Sequence, residues 1–209
     1  YFNGDNRIER ELRNRVSSLW KGIEWNWFTQ GGQEVLYWHW SPNNGFDMNF
    51  PVWGYNECLI TYILAASSPT HTIDAKAYHE GWARNGTITT SKTQFDIPLL
   101  FKYNTGSGNV GPLFWAQYSY LGLDPTNLTD KYADYWALTQ NHSKIINKYC
   151  IANPKQFKDY SEKCWGLTAS YSISAILMVV FILLHSEYRT YFRCFTTFTK
   201  PIYLVELLQ

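Results

Sequence analysis

The amino-acid sequence predicts an all-α domain, arranged as a partial α/α toroid with short strands in its loops. Four segments carry helical periodicity or helix punctuation, namely residues 6–22, 55–66, 112–121 and 131–151. The connections between them are long and rich in aromatic and turn-forming residues. Because a tight helical bundle has short connections, the long loops favour a toroid.

The first helix has the most regular apolar pattern. In IERELRNRVSSLWKGI the apolar residues Ile8, Val16 and Ile23 recur on one face, with charged residues on the opposite face. This pattern is typical of an amphipathic helix that packs one side against a core. We therefore predict a helix over residues 6–22.

The second and third helices are predicted from apolar content and from a capping residue. NECLITYILAA is apolar on nearly all sides and stops before Pro69, which indicates a buried helix over residues 55–66 with Glu57 in its first turn. In DAKAYHEGWA, Asp74 is a suitable N-cap. That stretch therefore predicts a short helix over residues 74–83.

The remaining elements follow from helix punctuation. GPLFWAQYSYLGL has Pro112 just inside its start and Gly122 near its end, which is the usual asymmetry of a helix. A longer helix is predicted over residues 131–151, closed by Pro154. Between the predicted helices at residues 74–83 and 112–121, TITTSKTQFDIPLLFKYN favours one or two short strands.

Charge and cysteine content argue against several classes of partner. The 18 basic and 17 acidic residues are mixed along the chain and give a net charge of +1. Without a basic stripe or an acidic tail, capture of nucleic acid or of an anionic membrane is unsupported, and an uncharged partner is expected. The four cysteines form no CxxC pair and no regular spacing with histidine. We predict no metal, no cofactor and no obligate protein partner.

The stretch WHWSPNNGFDMNFPVWGYNEC, residues 38–58, is the candidate functional region. Its aromatic rings are interleaved with Asn, Ser, Pro, Gly and Asp, the residues of turns. A packed core would draw its bulk from Leu, Ile and Val at a steady period. Aromatic faces beside amide and carboxylate groups therefore indicate a pocket lining.

Five segments of the chain carry a resemblance to a known family. At WSPNNGFDMN, PVWGYNECLITYILAASSPTH, YHEGWARNG, GPLFWAQYSYLGLDP and CWGLTAS, the sequence resembles the glycoamylase-like domain family that contains the bacterial endo-β-1,2-glucanases of glycoside hydrolase family 144. The resemblance covers about residues 1–174. It implies an (α/α)6 barrel, hydrolysis of β-1,2-linked glucan with inversion, and a location in the periplasm or at the cell surface of a bacterium.

The resemblance also implies that the chain is a fragment of such a barrel, with helices missing on both sides. Directly after Ser174 comes the apolar run AILMVVFILL, where the composition also changes. A membrane-spanning helix needs about 20 apolar residues, so this run is too short to cross a bilayer alone. We expect residues 1–174 to form the hydrolase domain and residues 175–209 to be an atypical apolar tail, consistent with a shifted reading frame; a membrane role is the less favoured alternative.

Glu57 is the candidate catalytic residue. Inverting hydrolysis of a glycoside requires an acid and a base, with their carboxyl groups roughly 6.5–9.5 Å apart. An aromatic neighbourhood would favour the protonated form of Glu57, whereas a helix N-terminus would favour its carboxylate. Sequence alone favours a helix-capping glutamate at this position, and the resemblance favours the general acid. The base is not identified.

The substrate-binding candidates are aromatic and polar residues. Sugars present C–H faces that lie on aromatic rings and hydroxyl groups that need hydrogen-bond partners. The candidate stacking platforms are Trp38, Trp40 and Trp53. The candidate hydrogen-bonding residues are His39, Asp47, Tyr55, Asn56, Gln117 and Tyr118.

Each of these candidates has a structural alternative. One of the tryptophans could equally belong to the core, Asp47 could cap its loop, and His39 could be a partly buried, hydrogen-bonded histidine. Gln117 and Tyr118 could serve in packing. Glu80 is interpreted as a solvated carboxylate.

The sequence therefore supports three classes of function. The first is an endo-acting β-1,2-glucan hydrolase. The second is a carbohydrate-binding module or an inactive truncated remnant of such an enzyme, because no second carboxylate is identified. The third, a membrane-tethered helical protein, is the least supported.

Overall fold

The computed structural model describes residues 2–32, 34–103 and 109–167, which form two compact units. The first unit contains the described residues up to Trp53 together with Thr61–Gly86. The second unit contains Gly54–Ile60 and the described residues from Thr87 onward. The predicted apolar tail at 175–209 lies outside the described residues.

The described residues are rich in helix and contain few, short strands. The α-helices are α1 (Arg7–Gly22), α2 (Leu59–Ala66), α3 (Phe114–Gln117) and α4 (Tyr135–Ala152), and the strands are β1 (Tyr37–Trp38), β2 (Phe50–Pro51), β3 (Thr89–Gln94) and β4 (Ile97–Phe101). Four short 3₁₀ segments and one π-helix in the described ranges complete the list: Trp25–Thr29, Arg84–Gly86, Ser119–Leu121, Pro125–Asn127 and the π-helix Ala77–Trp82. This content agrees with the predicted all-α class. In the described part of the chain, every helix is too short or too polar to cross a bilayer.

Helix α1 opens the first unit and confirms the prediction for residues 6–22. The side chain of Asn6 caps it by accepting a hydrogen bond from the amide of Glu9, and the Glu9 carboxylate accepts one from the Asn6 amide group in return. At its other end, Trp20 donates from Nε1 to the carbonyl of Leu64 in α2 at 2.9 Å. None of the α1 residues is buried, and the apolar face that includes Leu19 is exposed to solvent.

The core of the first unit centres on the fully buried Tyr62 in α2. Its hydroxyl accepts a hydrogen bond from the amide of Leu36 at 3.0 Å and donates one to the carbonyl of Val52 at 2.6 Å. The amide of Val52 also donates to the carbonyl of Leu36 at 2.8 Å. Because a buried polar group left unpaired is costly, this hydroxyl fixes the two chain segments side by side.

The predicted helix at residues 74–83 is present, but it adopts π-helical geometry over Ala77–Trp82. Asp74 caps its start by accepting a hydrogen bond from the amide of Lys76 at 2.8 Å. The rings of Tyr78 and Trp82 stack at 5.0 Å with 13° between their planes. Gly81 packs so closely against the carbonyl of Glu34 that a side chain would collide with that backbone.

Strands β3 and β4 form an antiparallel hairpin in the second unit, as the sequence favoured. Gln94 pairs with Ile97, and the two-residue turn between them consists of Phe95 and Asp96. Both turn residues have positive φ, 53° and 61°, which is the backbone geometry that matches the twist of the two strands. Neither residue is a glycine, so the turn is held against its intrinsic backbone preference.

Helix α4 packs on this hairpin. The ring of Tyr135 meets that of Phe101 edge-on at 5.8 Å, and the Asn141 side chain donates to the carbonyl of Pro98 at 3.0 Å. The N-cap of α4 is Asp134, whose carboxylate accepts from the amides of Trp136 and Ala137.

Three predicted helices have different bounds in the structure, and α2 is the first of them, because it begins at Leu59 and not at residue 55. Helix α4 starts four residues after the predicted residue 131, because the carboxylate of Asp130 accepts from the amides of Tyr132 and Ala133 and holds a turn there. The predicted helix at 112–121 divides into α3 and the 3₁₀ turn Ser119–Leu121. Helix α4 ends as predicted before Pro154, with Asn153 in the left-handed conformation.

We predict that the exposed face of α1 causes the 209-residue chain to self-associate. Leu19 is 71% exposed and Val16 is 56% exposed, and contiguous exposed apolar surface drives association. Leu19→Lys should shift the sedimentation velocity profile towards monomer, whereas Ser18→Lys, which adds the same charge beside that face, should not. A wild-type chain that sediments as a monomer at high concentration would contradict this prediction.

A second prediction concerns His142, which is fully buried in α4. Its Nε2 lies 2.7 Å from the carbonyl of Gly111, and its ring packs edge-on to Tyr103 at 5.0 Å. Burial lowers the pKa of His142 from 6.5 to about 4. Between these values the unfolded chain binds a proton that the folded chain does not. The free energy of unfolding should therefore fall as pH drops through this window, by at most about 1.4 kcal/mol per pH unit.

Urea unfolding between pH 7 and pH 4 measures this slope. His142→Gln should make the free energy of unfolding depend less steeply on pH, because the variant has no imidazole to protonate at this position. His39→Asn, which removes an exposed histidine, serves as the control. A His142→Gln chain with the full wild-type slope would show that another group is responsible.

Candidate active site

The first part of the predicted functional region is a loop in the first unit, residues 39–49, which connects β1 and β2. Strands β1 and β2 pair at its base, with Tyr37 opposite Pro51 and Trp38 opposite Phe50. Inside it, Ser41 and Gly45 exchange two backbone hydrogen bonds, at 3.1 and 2.8 Å. The loop therefore has a defined backbone, although it lacks helical or strand periodicity.

The loop presents its aromatic side chains to solvent. Trp38 is 56% exposed and meets Phe50 edge-on at 5.8 Å, while Trp40 is 40% exposed. Trp27, in the 3₁₀ segment before the loop, lies edge-on to Trp40 at 6.4 Å and is 52% exposed. Exposed rings that support one another at their edges are suited to stacking against sugar faces. The sequence patterns around residues 38–58 did not indicate Trp27, because it lies outside that stretch.

His39 and Asp47 are the polar candidates of this loop, and both are exposed. His39 has a φ of 67°, a left-handed backbone conformation that is uncommon for residues other than glycine. Within the described residues the Asp47 carboxylate accepts no hydrogen bond, so the loop-capping alternative for Asp47 has no support.

Trp53 is half-buried, and one face of its indole is already covered. The guanidinium of Arg84 lies over the ring, 4.3 Å from its centroid. Arg84 stands at the start of a left-handed turn, with φ of 49° at Arg84, 54° at Asn85 and 85° at Gly86. A sugar could therefore stack only on the opposite face of Trp53. Sequence reasoning did not find Arg84, since its position depends on this unusual turn.

Glu57 lies in the second unit, in the turn immediately before α2. The prediction that Glu57 belongs to the first helical turn is wrong, because α2 begins at Leu59. Two side chains hold the turn. Asn56 accepts a hydrogen bond from the amide of Cys58 at 2.9 Å, and Ser119 donates from its hydroxyl to the carbonyl of Glu57 at 2.9 Å. The Glu57 side chain is half-buried.

Tyr55 and Asn56, which were predicted to bind substrate, are instead part of the core. Tyr55 is 1% exposed, and its hydroxyl lies 3.1 Å from that of Tyr120. Burial raises the pKa of Tyr55 well above its usual value and that of Tyr120 to about 12, so both phenols stay protonated at neutral pH. Asn56 is 6% exposed and bonded to Cys58. Both residues shape the Glu57 turn rather than a substrate surface.

Gln117 and Tyr118 are exposed at the end of α3. Tyr118 is 58% exposed and touches Phe114 with a tilted ring contact at 5.4 Å. Tyr118 therefore packs in part against Phe114, and the substrate-binding role of both residues stays a prediction. Gln117 and Tyr118 directly precede Ser119, whose hydroxyl donates a hydrogen bond to the carbonyl of Glu57. These two substrate-binding candidates therefore lie next in sequence to a residue that contacts the candidate acid.

Among the described carboxylates of the second unit, Asp96, Asp159 and Glu162 are exposed, and three others have structural roles. Asp130 accepts three hydrogen bonds, from the amides of Tyr132 and Ala133 and the Tyr135 hydroxyl. Asp124 and Asp134 cap helical segments. By contrast, within residues 2–32, 34–103 and 109–167, the Glu57 carboxylate has neither a hydrogen bond nor an ion pair. A half-buried carboxyl group without a structural task is suited to proton transfer.

Comparison with known proteins identifies relatives of this chain. Residues 49–192 match the family model named Glycoamylase. The predicted domain boundary at residue 174 falls inside that range and stays a prediction. An exo β-1,2-glucooligosaccharide sophorohydrolase (non-reducing end) from Parabacteroides distasonis is 40% identical over 184 residues, which cover 81% of this chain and 26% of that protein.

Several solved structures are also similar, and two of them are glucanases whose substrate linkage is stated. The endo-β-1,2-glucanase from Chitinophaga pinensis, in complex with sophorotriose and glucose, is 52% identical with a TM-score of 0.78, over 85% of this chain and 42% of that chain. A β-1,2-glucanase from Parabacteroides distasonis is 38% identical with a TM-score of 0.75, over 85% of this chain and 28% of that chain. The chain thus spans less than half the length of each of these relatives. Since the family model matches most of the chain, this chain belongs to the Glycoamylase family.

Proposed function

We propose that the protein is a glycoside hydrolase that cleaves β-1,2-linked glucan, with Glu57 as its general acid. The observation that carries this proposal is the Glu57 carboxyl group, which is half-buried, has no internal partner in the described residues and sits in a turn held by hydrogen bonds. The relatives that hydrolyse β-1,2-glucans support the choice of substrate.

In the proposed mechanism the Glu57 carboxyl group gives a proton to the oxygen of the scissile glycosidic bond. Inversion at the anomeric carbon requires a second carboxylate, roughly 6.5–9.5 Å from the acid, to activate a water on the opposite face of the sugar. The capping carboxylates Asp124, Asp130 and Asp134 are unsuited to that role, because their oxygens already accept backbone hydrogen bonds. No metal or cofactor takes part in this scheme.

We further propose an endo mode of cleavage within an (α/α)6 barrel. Support for the endo mode is the 52% identity to the Chitinophaga pinensis endo-glucanase, against 40% to the exo-acting sophorohydrolase. Support for the barrel is the helix-rich content of the described residues, with its long aromatic loops.

The proposed function is tested with the full-length gene product and β-1,2-glucan. Reducing ends should appear over time, internal cleavage should give a range of oligosaccharide lengths, and NMR should show the α-anomer as the first product of inversion. β-1,3-Glucan and α-1,4-glucan serve as negative controls. Binding of β-1,2-glucan without product release would overturn the hydrolase proposal in favour of a carbohydrate-binding protein.

We predict that Glu57→Gln abolishes most of the activity. Glutamine keeps the shape of the side chain but cannot protonate the leaving oxygen, and general acid catalysis contributes about 10²- to 10⁴-fold. The loss should appear in kcat, with KM nearly unchanged. An aryl β-sophoroside with an acidic phenol as leaving group should be cleaved with a much smaller loss, because a good leaving group needs no proton. Near-normal kcat on glucan would remove Glu57 from the mechanism.

We predict that Trp53→Ala weakens substrate binding more than it slows chemistry. Loss of one stacking face should raise KM about 3- to 10-fold, since aromatic contacts contribute about 0.5–1.5 kcal/mol. Arg84→Met, which keeps an aliphatic stem over the indole and removes the charge, should have a smaller effect. Titration of oligosaccharide into the Glu57→Gln protein, with and without Trp53→Ala, measures the binding change directly. Equal affinities would place Trp53 in packing only.

A further inference from the structure

The hydroxyl of Ser119 makes two hydrogen bonds to the chain around Glu57. It donates to the carbonyl of Glu57 at 2.9 Å and accepts from the amide of Ile60 at 3.1 Å. Ser119 is only 1% exposed, so water cannot easily replace either bond. One buried side chain thus spans the turn before α2 and the first residues of the helix.

This contact replaces the usual cap of a helix. The first amides of a helix have no partner within the helix and are normally satisfied by a side chain just before it. At α2 the local side chain of Asn56 satisfies only the amide of Cys58. The amide of Ile60 is satisfied by Ser119, which lies 59 residues later in the chain. The start of α2, and with it the turn that holds Glu57, therefore depends on a distant segment.

Tyr120, the residue after Ser119, makes a hydrogen bond to the chain before Glu57. The hydroxyl of Tyr120 lies 3.1 Å from that of Tyr55, and both tyrosines are buried. Tyr55 is also held by a backbone bridge to Tyr103, at the end of the β-hairpin. Consequently Ser119 and Tyr120 contact the chain on both sides of the candidate acid, at Tyr55, Glu57 and Ile60.

We propose that Ser119 and Tyr120 are positioning residues that set the direction of the Glu57 carboxyl group towards the glycosidic oxygen. This inference rests on the proposed function, since it assigns a role for Ser119 through Glu57. Neither residue needs to touch substrate: Ser119 acts on the backbone of the acid, and Tyr120 acts on Tyr55. A general acid must lie within hydrogen-bond reach of the oxygen it protonates, and a displacement of about 1 Å can cost on the order of 10²-fold in rate.

The test compares Ser119→Ala with Ser68→Ala in the full-length gene product. Both changes remove the hydroxyl of a buried serine that accepts backbone hydrogen bonds, but Ser68 belongs to the first unit and contacts the Thr70 and His71 amides. Ser119→Ala should lower kcat on β-1,2-glucan about 10- to 100-fold, with KM changed less than about threefold. Ser68→Ala should leave kcat within about twofold of wild type.

Tyr120→Phe provides an independent variant, with Tyr103→Phe as its matched control. Both tyrosines are buried in the second unit, but within the described residues the Tyr103 hydroxyl has no hydrogen-bond partner. Tyr120→Phe should lower kcat about 3- to 30-fold, whereas Tyr103→Phe should not change it. This pair decides the question if Ser119→Ala does not fold.

The leaving-group dependence separates positioning from a general loss of structure. If Ser119 and Tyr120 act through the acid, their variants should lose far more activity on glucan than on the aryl β-sophoroside, as expected for Glu57→Gln. Equal losses on both substrates, or a Ser119→Ala protein as active as Ser68→Ala, would overturn the inference. A wild type that does not cleave β-1,2-glucan would instead refute the proposed function itself, so the two failures can be told apart.

Discussion

The hydrogen bonds of the buried Ser119 hydroxyl are the contacts on which the candidate site depends. They join the backbone of Glu57 and the start of α2 to the segment that presents Gln117 and Tyr118 to solvent. Because Ser119 is shielded from water, breaking either bond would leave a buried polar group unpaired. This cost keeps the turn in a single arrangement, which a general acid requires.

The first unit uses the same device to order a loop that has little regular secondary structure. The Tyr62 hydroxyl bridges the amide of Leu36 and the carbonyl of Val52, on either side of the loop closed by β1 and β2. Because both ends of the loop between β1 and β2 are fixed, the loop can expose aromatic rings and still keep a defined backbone. In both units a buried hydroxyl group, of Tyr62 or of Ser119, therefore holds the backbone of a candidate functional segment that long helices or strands do not hold.

Features set by neighbouring residues were predicted from the sequence, and features set by distant contacts were not. The period of α1, the end of α4 before Pro154 and the strands of the hairpin all follow from local pattern. The start of α2 was misplaced, because Ser119 holds the preceding turn from 62 residues beyond Glu57. The Phe95–Asp96 turn carries no glycine or asparagine signal, and Arg84 reaches Trp53 only through a left-handed turn.

The role of Glu57 as proton donor is decided by a crystal structure of the Glu57→Gln full-length gene product with an uncleaved β-1,2-glucooligosaccharide. If Glu57 is the donor, the side-chain amide of residue 57 lies about 3 Å from one inter-sugar oxygen, or one water molecule away from it. A well-ordered glucan chain whose glycosidic oxygens all lie beyond that reach would show that Glu57 does not protonate the leaving oxygen.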